Sequence, residues 1–303
     1  IMPRLLSTAL KKTGEKRTAL ILVATSGDTG KAALEGYKDV DGVKIMVFYP
    51  EDGVSDIQKL QMASQEGENV NVCAIKGNFD DAQTGVKQIF SDTNIAKELD
   101  EKGYFLSSAN SINWGRLAPQ IVYYFSAYCD LMNAGDISLG DEIDVCVPTG
   151  NFGNIFAAYL AKKMGLPVRR FICASNVNNV LTDFINTGIY DRNRQFHTTI
   201  SPSMDILISS NLERLLWLIQ GEEKTAECMK LLKETGKYEV SAEVREKIAS
   251  EFIGCFASDD ETKQTIAETF EKHSYLIDTH TAVALFAAKK NATDIPVVTA
   301  STA

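Results

Sequence analysis

Three stretches of the chain hold the residue types that bind anions. The first is Thr25-Ser26-Gly27-Asp28-Thr29-Gly30-Lys31, directly after the apolar run ALILVA. Thr25 and Ser26 are helix N-cap types, and the KAALEGYK that follows has a helical pattern. Such a turn points backbone N–H groups and the positive end of a helix dipole at an anion. The lysine invites comparison with an ATPase phosphate loop, which needs Gly, four residues, then Gly-Lys-Ser/Thr. Here two residues separate Gly27 from Gly30-Lys31, and Ala32 replaces the magnesium-binding hydroxyl. Lys31 is therefore expected on a helix surface. The second stretch, Thr149-Gly150-Asn151-Phe152-Gly153-Asn154, lies between IDVCVP and the helical IFAAYLAKKMG. Gly150 and Gly153 let the backbone approach a phosphate closely, and Asn151 and Asn154 add donors that tolerate left-handed backbone. The dinucleotide pattern G-x-G-x-x-G is absent, so one phosphate is expected rather than a pyrophosphate. The third stretch, Ser108 to Arg116, follows GYFLS. Asn110, Ser111 and Asn113 offer neutral donors, and Arg116 can make a two-pronged contact to phosphate or carboxylate. Together the loops imply two anions in one cleft.

The elements that must position these loops alternate. Strands are expected at 19–24, 43–49, 70–75, 103–107, 143–148, 170–174 and 295–300, with helical segments between them such as 55–66 and 79–92. Near-continuous Val/Ile/Cys/Ala runs suit strands buried on both faces of a parallel sheet. Ser55 and Gln58 have capping-box spacing at the start of one helix. The Gly/Asn/Asp-rich NAGDISLGDE, 133–142, reads as a lobe boundary. The expected architecture is two-lobed α/β, with parallel sheets and flanking helices: 1–135 a smaller lobe with the substrate loops, 140–303 a larger lobe with the phosphate loop. Residues 176–290 carry few strand signals and read as mainly helical. In such sheets ligands gather at the carboxyl ends of the strands, where all three loops lie.

The net charge of −9 disfavours a polyanionic partner such as nucleic acid. No apolar run approaches the roughly 18–20 residues of a membrane span. The basic residues among the first 17 read as the solvated face and end of a helix that buries Leu5, Leu6, Ala9 and Leu10. Six cysteines are scattered with no C-x-x-C pair. They suit free thiols in a reducing, cytoplasmic setting, without a metal site. The histidines share no metal spacing, and His280 stands where a helix begins, capped by Asp278 or Thr279. Residues 201–217 place Met204, Ile208, Leu212 and Leu215 at helical spacing, which reads as packing. The chain opens in helix at Ile1 and stops after VVTASTA, and both ends read as cut from something larger.

TSGDTGKAA, SSANSINWGR, VPTGNFGNIFAAYLAKKMGLP and NVNNVLTDFINTGIYDR, in that order, closely resemble the threonine synthase family. These are pyridoxal-phosphate (PLP) enzymes of fold type II, built like the tryptophan synthase β chain. The resemblance covers nearly the whole chain. GNFGN and NSINWGR are fairly specific; SGDTG is shared, with Asn for Asp, by much of the wider superfamily. The resemblance implies conversion of O-phosphohomoserine and water to threonine and phosphate, a step of threonine biosynthesis that needs two phosphate sites. It implies that Gly150, Asn151, Phe152, Gly153 and Asn154 cradle the PLP phosphate and that Asp28 lies near the 3′-oxygen. Thr302, or its neighbour Ser301, would face the pyridine nitrogen. Thr29, Asn110, Ser111, Asn113 and Arg116 would bind the substrate, chiefly its phosphate, with Ser26 and Gly27 at its carboxylate.

The family anchors PLP on the lysine of a Phe-Lys-Asp segment just before the helix corresponding to IMPRLLSTALKK. No Phe-Lys-Asp occurs in this sequence. The expectation is an internal fragment with the Schiff-base lysine outside the chain, inactive alone. Two alternatives stand beside it: another fold type II lyase or dehydratase, whose substrate would not need Arg116, and a non-catalytic small-anion-binding module.

Overall fold

The apolar runs become strands of parallel sheets, the central ones, Thr18–Ala24 and Ile143–Pro148, buried along most of their length. In the computed structural model, residues 1–25, 28–51, 54, 56–77, 79–110 and 113–301 are described, apart from the side chains of Asp28, Phe79 and Asp80. The chain divides into two units, Ile1–Pro119 and Gln120–Ala303.

The first unit runs α1 (Met2–Thr13), β1 (Thr18–Ala24), α2 (Asp28–Tyr37), β2 (Val43–Pro50), α3 (Asp56–Ala63), β3 (Val70–Ile75), α4 (Phe79–Ser91), α5 (Thr93–Glu101) and β4 (Tyr104–Ser108), and then enters α6 (Trp114–Ala134). Its strands form a parallel sheet in the order β3-β2-β1-β4. Ala19, Ile21 and Val23 of β1 and Val43, Ile45 and Val47 of β2 face Leu34, Tyr37 and Met62. The alternate residues Leu22 and Ala24 face Ala82 and Val86 of α4. The buried line of α1 is Pro3, Ser7 and Leu10. Leu5 and Ala9, expected inward, are exposed, because the helix is rotated to seat Pro3 and Ser7. Ser55 of the expected capping box lies outside the described residues.

The second unit takes up the rest of α6, then β5 (Ile143–Pro148), α7 (Gly153–Lys163), β6 (Val168–Ser175), α8 (Val180–Thr187), β7 (Ile189–Asp191), α9 (Leu212–Gln220), α10 (Glu222–Thr235), β8 (Lys237–Glu239), α11 (Ala242–Glu251), β9 (Phe252–Phe256), α12 (Asp259–His273), α13 (Thr279–Lys290) and β10 (Val297–Thr299). Its main sheet is parallel, in the order β10-β5-β6-β9, and β7 pairs with β8 in a small antiparallel ribbon. One face packs on the small residues Val283, Ala284, Ala287 and Ala288 of α13. Elsewhere in this core Phe152, Phe171, Tyr159 and Phe252 meet at ring-centre distances of 5.2–6.0 Å, which seats α7 against β6 and β9.

Three features depart from the sequence expectations. The division between units falls inside α6 at Pro119, not in the loop 133–142, because the later turns of α6 hydrogen-bond to the second unit through Tyr123 and Tyr124. Strand β9 lies within the stretch read as helical, its apolar run interrupted by Gly254. That glycine is required, since a Cβ there would stand 2.7 Å from Thr182 Cα. Finally, 201–217 is not one helix. Pro202–Met204 is a single short turn, α9 begins at Leu212, and Ile208 is exposed.

Candidate active site

In the second unit the loop Thr149–Asn154 joins the carboxyl end of β5 to α7. Thr149 is buried, with N–H donating to Ala174 O at 2.7 Å and Oγ1 to Val147 O at 2.7 Å. Gly150 lies so close to the turn 201–204 that a Cβ would stand 2.6 Å from Ser203 O. Phe152 holds a left-handed conformation (φ 61°, ψ 3°), and its side chain is buried in the aromatic cluster. Left-handed backbone at a bulky residue is costly and is held by its surroundings. Here the next residue, Gly153, opens α7, and no side chain caps that helix. A second segment grips the outer side of the loop. Ser209 Oγ donates to Gly150 O at 2.8 Å, and Asn211 donates to Asn151 O through Nδ2 (2.9 Å) and N (3.1 Å). Asn154 Oδ1 accepts from Tyr123 Oη at 2.9 Å and also from Tyr124 Oη. Burial pushes the Tyr123 hydroxyl up to about 12 and that of Tyr124 well above its ordinary 10, so both remain protonated donors.

Strand β10 pairs with β5, so the segment after it emerges beside the same loop. There Ser301 Oγ lies 3.0 Å from Thr281 Oγ1 in the first turn of α13. Asp278 caps that helix by accepting from the N–H groups of His280 and Thr281, the role expected for Asp278 or Thr279. His280 Nε2 accepts from Ser203 N at 3.1 Å. Thr302 lies outside the described residues.

In the first unit β1 and β4 are neighbours, so the loops that follow them leave the same end of the sheet. Ser26 and Gly27 lie outside the described residues, as does the side chain of Asp28, whose backbone opens α2. Thr25 Oγ1 accepts from Gly30 N at 3.0 Å, which satisfies one first-turn donor of α2. Thr29 is half-buried in that turn. Lys31 reaches Gln65 and, at 3.7 Å, Glu35 on its own helix, as a surface lysine would. In the β4 loop Asn110 accepts from Ser108 Oγ at 3.1 Å, which leaves its Nδ2 as the donor end. Asn113 is engaged by the loop itself, with Nδ2 on Ser108 O (2.7 Å) and Oδ1 receiving Gly115 N (2.9 Å). Ser111 lies outside the described residues. Arg116 donates through Nη1 to Ala109 O at 3.0 Å, and burial lowers its pKa against the opposing influence of Tyr37. Tyr37 is buried and pushed up to about 12.

Burial pushes the Cys146 thiol well above its ordinary value and Cys173 to about 12, so neither is a ready nucleophile. Among the described residues no group of three His, Cys, Asp or Glu is placed to hold a metal ion. No described helix is long and apolar enough to cross a membrane. The expectation missed Ser209, Asn211, Tyr123, Tyr124 and His280 as neighbours of the loop. A weak signal existed at Ser209-Ser210-Asn211, a polar triplet before an apolar helix. Asn211 holds the N-cap position of α9, yet its side chain does not cap it.

Parallel sheets with flanking helices, and a glycine-bearing loop with backbone N–H groups at the start of a helix, are an arrangement in which α/β proteins bind phosphate groups. The family model described as pyridoxal-phosphate-dependent enzyme matches residues 3–298, and the chain belongs to that family, in its fold type II branch. The loop suits the cofactor's phosphate: it carries no acidic side chain, its helix N-terminus is uncapped, and Gly150 lets its backbone pack on Ser203, where a Cβ would collide. The chain is similar to threonine synthase from Pseudomonas aeruginosa, 42% identical over 307 residues, covering 100% of this chain and 63% of the relative. It is 47% identical over 294 residues to threonine synthase-like 1 from Homo sapiens, covering 94% of this chain and 40% of that protein. The crystal structure of PLP-bound threonine synthase from Brucella melitensis superposes with a TM-score of 0.90 at 40% identity, over 99% of this chain and 63% of that one. The chain thus spans about two fifths to just under two thirds of the length of these relatives.

Proposed function

We propose that the chain carries the cofactor and substrate loops of a threonine synthase, which converts O-phosphohomoserine and water to threonine and phosphate. Bound PLP would supply the electron sink that lets protons leave the α and β carbons and, in O-phosphohomoserine, phosphate leave the γ carbon. The N–H groups of Gly150 to Asn154 hold the cofactor's phosphate at the N-terminus of α7. By the resemblance, the partner of the cofactor's 3′-oxygen is Asp28. Ser301 is tied to α13 through Thr281, and the resemblance assigns the hydroxyl partner of the pyridine nitrogen to Thr302 or Ser301. In the first unit Thr29, Asn110, Ser111 and Arg116 bind the substrate phosphate, and Ser26 and Gly27 bind its carboxylate.

Arg116 is the observation that carries the reading. It is a half-buried guanidinium at the β4 loop, held by Ala109 O at 3.0 Å. A charge in that setting is strengthened by a phosphate dianion, and a dehydratase substrate without phosphate has no use for it. Because the sequence holds no Phe-Lys-Asp segment, the chain is proposed to bind its ligands without turning them over. The test is calorimetric titration of the PLP-equilibrated chain with O-phosphohomoserine and with homoserine, together with a phosphate-release assay. Saturable binding of the phosphorylated compound alone, without release, supports the proposal. Equal binding of the two compounds sinks the substrate assignment, and measurable phosphate release sinks the claim of inactivity.

A further inference from the structure

The phosphate loop does not hold itself in shape. The carbonyls of Gly150 and Asn151 are taken by a segment about 60 residues further along the chain, Ser209 to Asn211. Ser209 Oγ donates to Gly150 O at 2.8 Å. Asn211 donates twice to Asn151 O, through Nδ2 at 2.9 Å and N at 3.1 Å. Both donors are fixed. Asn211 is 0% exposed and Ser209 6%. Ser209 N donates in turn to Tyr190 Oη at 2.8 Å, and Tyr190 Oη to Leu207 O at 3.1 Å.

The consequence follows from the planarity of the peptide unit. In a trans peptide the C=O of one residue and the N–H of the next point in opposite directions. The described residues contain no cis peptide. Holding Gly150 O therefore aims the N–H of Asn151 the other way, and holding Asn151 O does the same for the N–H of Phe152. The left-handed turn at Phe152 (φ 61°) then leads into the uncapped start of α7. Phe152 O accepts from Phe156 N at 3.1 Å, the first bond of that helix. Every carbonyl from Gly150 to Phe152 thus has a donor on the protein side, and an oxygen of the loop cannot rotate toward an anion without giving up a hydrogen bond.

We propose that Ser209 and Asn211 are positioning residues for cofactor binding. They clamp the carbonyls of Gly150 and Asn151 so that the N–H groups of Asn151 and Phe152 face the PLP phosphate. The inference rests on the assignment of residues 150–154 as the phosphate cradle. The clamp makes the protein selective for the phosphate rather than for the pyridine ring. Asn211→Ala removes the side-chain half of the grip on Asn151 O and leaves Asn211 N in place. Ser209→Ala frees Gly150 O, and Ser209→Thr keeps the hydroxyl.

The test compares the dissociation constants of the full chain for PLP and for pyridoxal, which lacks the phosphate, by quenching of intrinsic fluorescence. Circular dichroism and thermal unfolding are recorded for each variant. The clamp predicts that wild type prefers PLP, that Ser209→Ala and Asn211→Ala each lower that preference about tenfold or more, and that Ser209→Thr retains it. A merely structural role would weaken both ligands alike. Folded alanine variants with the wild-type preference overturn the clamp. A wild type that does not discriminate overturns the phosphate cradle itself, which separates the two failures. Should Asn211→Ala fail to fold, the Ser209 pair decides alone.

Discussion

Gly150→Ala tests the loop at its tightest point. The added Cβ would stand 2.6 Å from Ser203 O and 3.4 Å from Met204 Cα, both backbone atoms. Ordinary carbon–oxygen contact needs more than 3 Å, so one of the two segments must move by about half an ångström or more. The turn 201–205 is poorly able to yield. Ser203 N is held by His280 Nε2 at 3.1 Å, and Met204 N by Ser201 O at 3.0 Å. The Asp205 carboxylate accepts from Thr199 N (2.9 Å), Thr199 Oγ1 (2.8 Å) and Asn176 Nδ2 (2.7 Å). The phosphate loop therefore takes up the displacement. Overpacking of this kind costs about 1–3 kcal/mol, and each kcal/mol lowers Tm by roughly 2–4 °C in a domain of this size. Displaced donors also weaken PLP by about tenfold or more, since hydrogen bonds to a charged group are worth about 1.5–3 kcal/mol. Differential scanning calorimetry gives the first quantity and a PLP titration the second. A Gly150→Ala variant with wild-type Tm and wild-type PLP affinity would refute the close approach on which the cradle depends.

Arg116→Lys keeps a charge but loses the planar fork. O-phosphohomoserine should bind about tenfold more weakly in calorimetry, with PLP affinity unchanged. Asp144 is fully buried between Arg169 (Nε to Oδ1 2.9 Å) and Arg170 (Nε to Oδ2 3.0 Å). Asp144→Ala takes the shared carboxylate from both guanidiniums, which keep Thr293 (2.8 Å) and Asn291 O (3.0 Å), so urea unfolding should show a lowered midpoint. Asp278 is partly buried, which alone would raise its pKa. Hydrogen bonds from the Thr281 hydroxyl and from the Thr281 and His280 N–H groups outweigh that and hold it below 3.8. A depressed carboxylate contributes stability that is present above its unfolded pKa and is lost as the pH falls through the lowered one. Unfolding curves of wild type and Asp278→Asn should therefore differ at pH 6 and converge below pH 3.8.

The strands legible in the sequence were those with near-continuous apolar runs, whether mostly buried like β5 or partly exposed like β3. ALILVA has no polar residue at all, and VKIMVFY and IDVCVP each carry a single charged residue, Lys44 or Asp144, inside an otherwise apolar run. β9 was not legible, because its five residues include Gly254, and the reason for that glycine is the backbone of Thr182. Residues 201–217 show the converse: Met204, Leu212 and Leu215 have helical spacing, but Pro202 and the triplet Ser209-Ser210-Asn211 belong to a segment shaped by the phosphate loop. The loops proposed to bind anions stand out in the sequence because their residue types are local: glycines, N-cap residues and Arg116 within a few positions. The supports of the phosphate loop do not, because Ser209 and Asn211 act about 60 residues away from Gly150 and Asn151. His280 was legible as a helix-start residue and illegible as the acceptor for Ser203, since that contact spans 77 positions.

The most direct single measurement is reductive trapping. The chain is titrated with PLP, reduced with borohydride, and digested for peptide mass spectrometry. A phosphate cradle without its anchoring lysine predicts saturable binding and no single lysine modified in proportion to it. Stoichiometric labelling of one lysine, Lys31 for example, would contradict this, since the anchor would then lie within these 303 residues.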